Sequence, residues 1–211
     1  SGNEKSLEEI IKQINRLRPA DIAFGHLHAL PEIMNHMTDR ETIPFFIYRD
    51  PRDVVVSHVF YVSEIEKNHV HHEHYAYVLK SFDERLMTSI LGIPGSKTPF
   101  PDISKRFEPY LGWLDSSQTL SVRYEDFILN LEATLIRVLD FAGKNGFPLQ
   151  VSQEGAISHL KNAINPDKSP TFRTGKIGKW QEYFNERHIQ VFKDVCGDML
   201  IRLGYEKDHN W

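Results

Sequence analysis

The chain has 211 residues, of which 40% are hydrophobic, 11% aromatic and 26% charged, with a formal net charge of −4. This composition suits one globular domain with a sizeable core, and it excludes disordered, collagen-like and coiled-coil chains. The slight acidic excess argues against a nucleic-acid partner, and no apolar stretch approaches the roughly 18 residues that a membrane span requires.

The first elements are a helix, a short strand and a second helix. Ser6 and Glu9 form a capping-box pattern that predicts the start of a helix, with apolar residues following at helical spacing. Residues 21–24 are short and apolar, which predicts a buried strand ending just before His26. A second helix is predicted from Pro31 to Met37.

The next unit is a strand that turns sharply into a helix. Residues 42–48 form a continuous apolar run, which predicts a parallel strand covered on both faces. After Arg49, Asp50 suits the N-cap, Pro51 the first helical position and Asp53 the reciprocal acidic partner of the cap. Ligands of open α/β sheets bind at the carboxyl ends of the strands, so this turn is a candidate site.

Beyond residue 62 the pattern loosens and then becomes regular again. Residues 62–106 predict a loop-rich, partly helical insert, bordering an acceptor pocket, within a single domain spanning residues 1–211. Further helices are predicted at 103–113, 130–142 and 186–203, and a strand at 119–124. The alternation predicts an α/β domain with a central parallel sheet.

Two features of the composition bear on cofactors and location. Four histidines cluster at His69, His71, His72 and His74, but a structural zinc site usually draws ligands from two separated segments. We therefore predict a solvent-exposed cluster and no metal. The single cysteine, Cys196, falls at helical spacing with other apolar residues and predicts a small buried hydrophobe. The single cysteine cannot form an intrachain disulfide, and the sequence shows no recognisable leader, so we expect a reducing, cytoplasmic location.

Two basic segments are candidates for binding an anion. Arg49 lies at a strand tip and Ser57 two helical turns further on, so a guanidinium and a hydroxyl can converge on a phosphate. Residues 171–180 combine two glycines with three cations, which suits a loop whose backbone approaches a bound group. The alternatives are a capped helix with surface ion pairs and a solvated basic loop.

Both segments, in this order, resemble the 3′-phosphate-binding signatures of sulfotransferases that use 3′-phosphoadenosine 5′-phosphosulfate (PAPS). The stretches are YRDPRDVVVS at 48–57 and FRTGKIGKW at 172–180, and the Tyr-Glu-Asp at 124–126 and Leu-Gly-Tyr-Glu at 203–206 also resemble family segments. The resemblance implies a three-layer, P-loop-like sulfotransferase fold. It also implies sulfuryl transfer from PAPS to a hydroxyl or amine of a small-molecule or conjugate acceptor, releasing 3′-phosphoadenosine 5′-phosphate (PAP), without a metal.

The resemblance also implies roles for individual residues. His26 aligns with the family's general base, and His28 is the runner-up. Tyr124 would sit near the adenine. The remaining positions would hold the 3′-phosphate through side chains or backbone: Arg49, Ser57, Arg173, Thr174 and Gly175.

The sequence also departs from the family pattern. Phe24 stands where the family has a catalytic lysine, and Thr174 replaces the lysine of the Arg-Lys-Gly signature. No 5′-phosphosulfate loop precedes His26. We expect that an N-terminal piece of the parent protein is absent from this sequence, because a sheet without its neighbouring strand would leave apolar edges unpaired. The alternative is a module that binds the nucleotide without reacting; a P-loop kinase ranks last, since no Gly-Lys-Ser/Thr loop is present.

Overall fold

The computed structural model describes residues 5–168 and 174–211. Its regular elements, in chain order, are α1 (Leu7–Ile14), α2 (Pro31–Asp39), β1 (Phe45–Tyr48), α3 (Pro51–Phe60), π-helical turns at Tyr61–Ile65 and His74–Val78, α4 (Phe82–Leu91), α5 (Ile103–Phe107), a 3-10 turn at Glu108–Tyr110, α6 (Gly112–Asp115), β2 (Leu120–Arg123), α7 (Tyr124–Leu129), α8 (Leu131–Lys144), α9 (Gln153–Ala163), a 3-10 turn at Pro166–Lys168, α10 (Trp180–Tyr183), α11 (Glu186–Cys196) and α12 (Met199–Arg202).

The sheet is parallel, as predicted. β1 pairs with β2 in a register that joins Phe45 to Leu120 and Tyr48 to Arg123, and these two strands make up the sheet in the described residues. The prediction that β1 is covered on both faces is wrong for this part of the chain. Side chains alternate between the two faces of a strand, and on one face Phe45 and Ile47 are 41% and 57% exposed.

The amino-terminal region follows the sequence prediction in its helices but not in its strand. α1 begins at the predicted capping box, in which the Glu9 amide donates to Ser6 Oγ at 3.2 Å and the Ser6 amide to Glu9 Oε2 at 2.9 Å. The predicted strand at 21–24 does not form, and Ile22 and Phe24 are fully exposed. A strand needs a hydrogen-bonded neighbour, and among the described residues strand pairing is confined to β1 and β2.

The main hydrophobic core is built on α3 from three separate parts of the chain. Val55 and Val59 of α3 pack against residues of the 62–106 segment such as Tyr75, and against Phe192 and Leu200 near the carboxyl terminus. The predicted last helix is interrupted at Gly197, where the backbone adopts a φ of +49°. Cys196, just before that break, is buried within this core as predicted.

The histidine cluster is more enclosed than the sequence predicted. His71 and His72 are only 6% and 9% exposed, so the expectation of a solvated cluster is wrong for these two. Their rings contact backbone carbonyls, with His72 Nδ1 2.7 Å from Val62 O and His71 Nε2 3.4 Å from Thr98 O. Among residues 5–168 and 174–211, no group of three metal-ligating side chains is placed to hold an ion, and no helix has the length and apolarity to cross a membrane.

Candidate nucleotide-binding site

The turn between β1 and α3 is fixed by its capping residue. Asp50 accepts the Arg52 amide at 2.9 Å, as expected of an N-cap. The predicted reciprocal bond from Asp53 is absent, since the Asp50 amide donates to Glu125 Oε1 at 3.1 Å. A capping box uses Glu or Gln at this position, and the aspartate is one methylene shorter. Asp53 is therefore available for another partner.

That partner is the glycine-containing loop, 125 residues further along the chain. The Asp53 carboxylate is fully buried and accepts the Gly178 amide at 2.8 Å and the Trp180 amide at 2.9 Å. It also pairs with Arg49 Nη2 at 3.3 Å. These contacts bring together the two segments that carry the predicted 3′-phosphate site.

Arg49 lies between the loop and the second strand. Its Nη2 donates to Lys176 O at 2.9 Å, and its Cζ lies 4.8 Å from the centroid of the Tyr124 ring. Its Nε is buried and has no hydrogen-bond partner among the described residues. A buried guanidinium N–H without a partner costs free energy, so this donor is suited to an acceptor brought by a ligand.

Tyr124 reaches the site through the strand register. Because Tyr48 of β1 pairs with Arg123 of β2, the next residues, Arg49 and Tyr124, leave the sheet at the same edge. The Tyr124 hydroxyl donates to Gly175 O at 3.4 Å. The carboxyl ends of both strands and the loop therefore meet at one place, where α/β sheets bind ligands.

The loop itself contains two glycines in the left-handed region of backbone conformation. Gly175 and Gly178 have φ angles of +63° and +68°, which L-residues with side chains rarely adopt. Thr174 is exposed and its Oγ1 accepts the Lys176 amide at 3.4 Å. Successive amides in such turns form concavities that bind anions. Arg173, predicted to join them, lies outside the described residues.

Ser57 and His26 are less closely tied to this group. Ser57 is half-buried four residues after Asp53, so it shares that residue's face of α3, but no hydrogen bond joins it to Arg49 in the described chain. His26 is exposed, with its ring centroid 6.5 Å from that of Tyr110, whereas His28 is half-buried and 5.0 Å away. No contact within residues 5–168 and 174–211 joins either histidine to Arg49.

One cluster beside the site was not predicted from the sequence. Arg52 is buried between the rings of Trp180 and Trp211, at 4.1 and 4.6 Å, and pairs with Asp50 at 2.8 Å and Glu206 at 2.5 Å. Burial disfavours its charge, but the bonds to the two carboxylates outweigh this and raise the pKa of Arg52. The cluster ties the carboxyl-terminal tail to the start of α3. The part of this cluster that the sequence indicated is Glu206, which ends the Leu-Gly-Tyr-Glu segment at 203–206.

A comparison with protein-family models assigns the chain. The sulfotransferase domain model matches residues 11–204, which is most of the sequence. The chain belongs to the sulfotransferase family. None of the proteins with curated functional descriptions matches it.

Solved sulfotransferase-fold structures resemble this one. Mouse sulfotransferase SULT7A1 complexed with PAP has a TM-score of 0.59 at 16% identity, covering 93% of this chain and 72% of its own. Retinol dehydratase with androsterone and the inactive cofactor PAP has a TM-score of 0.57 at 21% identity, covering 90% of this chain and 56% of its own. A second retinol dehydratase structure contains retinol and PAP. At these identities the likeness establishes the P-loop-like sulfotransferase fold, as predicted.

Proposed function

We propose that this protein transfers a sulfuryl group from PAPS to a hydroxyl or amine acceptor, and that the turn at Arg49 binds the 3′-phosphate of the nucleotide. The observation that carries the proposal is the buried Nε of Arg49, which has no partner in the described part of the chain, at the edge where both strands and the loop converge. A bidentate guanidinium matches phosphate oxygens in geometry and charge.

The other predicted residues surround this guanidinium. The Tyr124 ring lies against Arg49, and we expect it to support the adenine. Backbone amides around Thr174 and Gly175 would receive phosphate oxygens. Ser57 offers a hydroxyl from the Asp53 face of α3. Arg173 would add a second cation next to Thr174.

We further propose that a histidine accepts the acceptor's proton. As the acceptor oxygen bonds to sulfur, the bond from sulfur to the leaving phosphate breaks, and the acceptor loses a proton. Imidazole titrates near neutrality and suits this role, with His26 as the first candidate and His28 as the second. The cations of the site can stabilise the negative charge, so no metal is required.

The acceptor class is also a proposal. Retinol dehydratase has been solved with androsterone and with retinol, which are small hydroxyl-bearing molecules, and we expect a small-molecule or conjugate acceptor here. The chain spans 56% of the length of retinol dehydratase, so the complete activity is proposed and not established by the likeness. The cytoplasmic location stays a prediction from the single cysteine.

Nucleotide binding is tested by titrating the chain with PAP in a calorimeter. Arg49→Ala should weaken PAP binding by about 30-fold or more, because a charge-assisted contact is worth about 2 to 3 kcal/mol. Arg187→Ala, which removes an exposed arginine of α11, should leave the affinity unchanged. Equal affinities for Arg49→Ala and the unmodified chain would contradict the site assignment.

Catalysis is tested by the transfer of labelled sulfate from PAPS to a panel of hydroxyl and amine acceptors. His26→Ala should lose transfer while retaining PAP affinity, because the histidine serves the acceptor and not the nucleotide. His28→Ala, made in parallel, shows which histidine is the base. PAP binding by the unmodified chain without any transfer would instead indicate a nucleotide-binding module.

A further inference from the structure

We propose that Asp53 is a positioning residue for recognition of the nucleotide's 3′-phosphate, since its carboxylate holds both the Arg49 guanidinium and the glycine loop in place. The inference rests on the proposed nucleotide site. In this role Asp53 affects nucleotide binding by positioning Arg49 and the loop, without contacting the nucleotide itself.

The geometry around Asp53 supports this role. The carboxylate has no exposed surface and uses both oxygens, Oδ1 for the Trp180 amide and Oδ2 for the Gly178 amide and Arg49 Nη2. A buried charge is tolerated only when it is paired and hydrogen-bonded, and these three donors meet that need. Asp53 stands in the first turn of α3, so its position is set by the helix.

Two consequences follow for Arg49. Its Nη2 is shared by Asp53 Oδ2 and Lys176 O, which fixes the plane of the guanidinium, while Nε stays buried and without a partner in the described chain. The two hydrogen bonds of Nη2 therefore orient the Nε of the same guanidinium. Without the carboxylate, Arg49 would lose one of its two hydrogen bonds, and the loop would lose both amide bonds to Asp53.

A nearby ion pair serves as a contrast. The guanidinium of Arg52 is enclosed by two tryptophan rings and pairs with the carboxylates of Asp50 and Glu206. The pair with Glu206 holds the carboxyl-terminal tail against the start of α3. Asp53 instead joins the strand–helix turn to the loop that carries the second 3′-phosphate signature. Asp53 is hydrogen-bonded to the loop backbone and to Arg49, whereas Arg52 meets the loop through the Trp180 ring.

The test compares the affinities of PAP and adenosine 5′-phosphate, which lacks the 3′-phosphate, for the full chain. Asp53→Asn should lower the affinity for PAP about tenfold or more, because small misplacement of a binding group has large effects. The affinity for adenosine 5′-phosphate should change by less than about twofold, because this nucleotide has no 3′-phosphate for a misplaced Arg49 to lose. The ratio of the two affinities does not depend on the fraction of folded protein, so a merely structural role would leave it unchanged.

Two controls sharpen the result. Asp102→Asn removes another carboxylate that accepts a backbone amide, from Lys105 at the start of α5, and should leave the ratio as in the unmodified chain. Asp53→Asn should lower the ratio less in the Arg49→Ala background than in the unmodified chain, because part of the aspartate's effect passes through the arginine and only the part that passes through the loop remains.

Each outcome decides between the proposals. An unmodified chain that does not prefer PAP over adenosine 5′-phosphate overturns the proposed nucleotide site, and this inference with it. A chain that prefers PAP, and whose Asp53→Asn variant keeps the same ratio, overturns the positioning role alone. If Asp53→Asn does not fold, Asp53→Glu replaces it: the longer side chain displaces the carboxylate and should lower the ratio, and an unchanged ratio counts against the proposal.

Discussion

The two ends of α3 treat polar groups in different ways. At the amino end, Asp50 and Asp53 are buried and each pairs with an arginine, while Asp53 also takes two backbone amides. At the carboxyl end, His58 lies against the Phe100 ring at 4.8 Å, with Nδ1 3.1 Å from Ser89 Oγ. The amino end therefore pairs its buried carboxylates with arginines, whereas the carboxyl end buries the imidazole of His58 in its neutral form.

The groups facing His58 explain this difference. They come from the neighbouring turns and helices and include two imidazoles, a guanidinium, a phenol and a hydroxyl: His69, His71, Arg106, Tyr75 and Ser89. Burial, together with the charge of Arg106, lowers the pKa of His58 to about 3. Burial likewise lowers the pKa of Arg106 to about 10. At the amino end of α3, by contrast, the Nε of Arg49 is buried and has no partner among residues 5–168 and 174–211, so this end can receive an anion.

The largest expected effect concerns the amino end. Arg52→Ala leaves the Asp50 carboxylate buried without its cation and removes the bond to Glu206, which should lower the free energy of unfolding by about 3 to 5 kcal/mol. Urea unfolding measures this loss. Arg187→Ala removes an exposed arginine of α11 and should change the stability by less than about 0.5 kcal/mol. A loss below about 1 kcal/mol for Arg52→Ala would show that the pair contributes little, as exposed ion pairs do.

The sequence predicted those parts of the molecule that are determined locally. Asp50 and Pro51 set the strand–helix turn through a cap and a fixed φ, which depend on adjacent residues only. Cys196 was predicted as buried from helical spacing alone. The parallel pairing of the strands followed from the alternation of elements, and its register then placed Arg49 beside Tyr124.

Several parts that depend on distant contacts were not predicted. The strand expected at 21–24 needs a pairing partner, and apolar character within four residues cannot supply one. His71 and His72 were expected in solvent because nothing in their neighbourhood reveals the groups that contact them, such as Phe100 beside His71 and Val62 O beside His72. Asp53 was interpreted as a capping partner, since its real partners, the amides of Gly178 and Trp180, lie more than a hundred residues away.

The smaller effect concerns the carboxyl end of α3 and appears as a pH dependence. His58 has a pKa near 6.5 in the unfolded chain and about 3 in the folded protein, so below pH 6.5 the unfolded state binds a proton that the folded state excludes. The free energy of unfolding should therefore fall as the pH falls, by up to about 1.4 kcal/mol per pH unit, or about 2 kcal/mol between pH 6.5 and 5. His58→Gln cannot bind that proton and should lose this part of the slope.

Urea unfolding at a series of pH values between 7 and 5 separates this effect from any general loss of stability. The difference in slope between His58→Gln and the unmodified chain should correspond to about one proton, while some slope remains because burial also lowers the pKa values of His69 and His71. His159→Gln, in the exposed part of α9, should keep the original slope. If His58→Gln also keeps it, His58 is able to charge inside the fold, and the contrast between the two ends of α3 disappears.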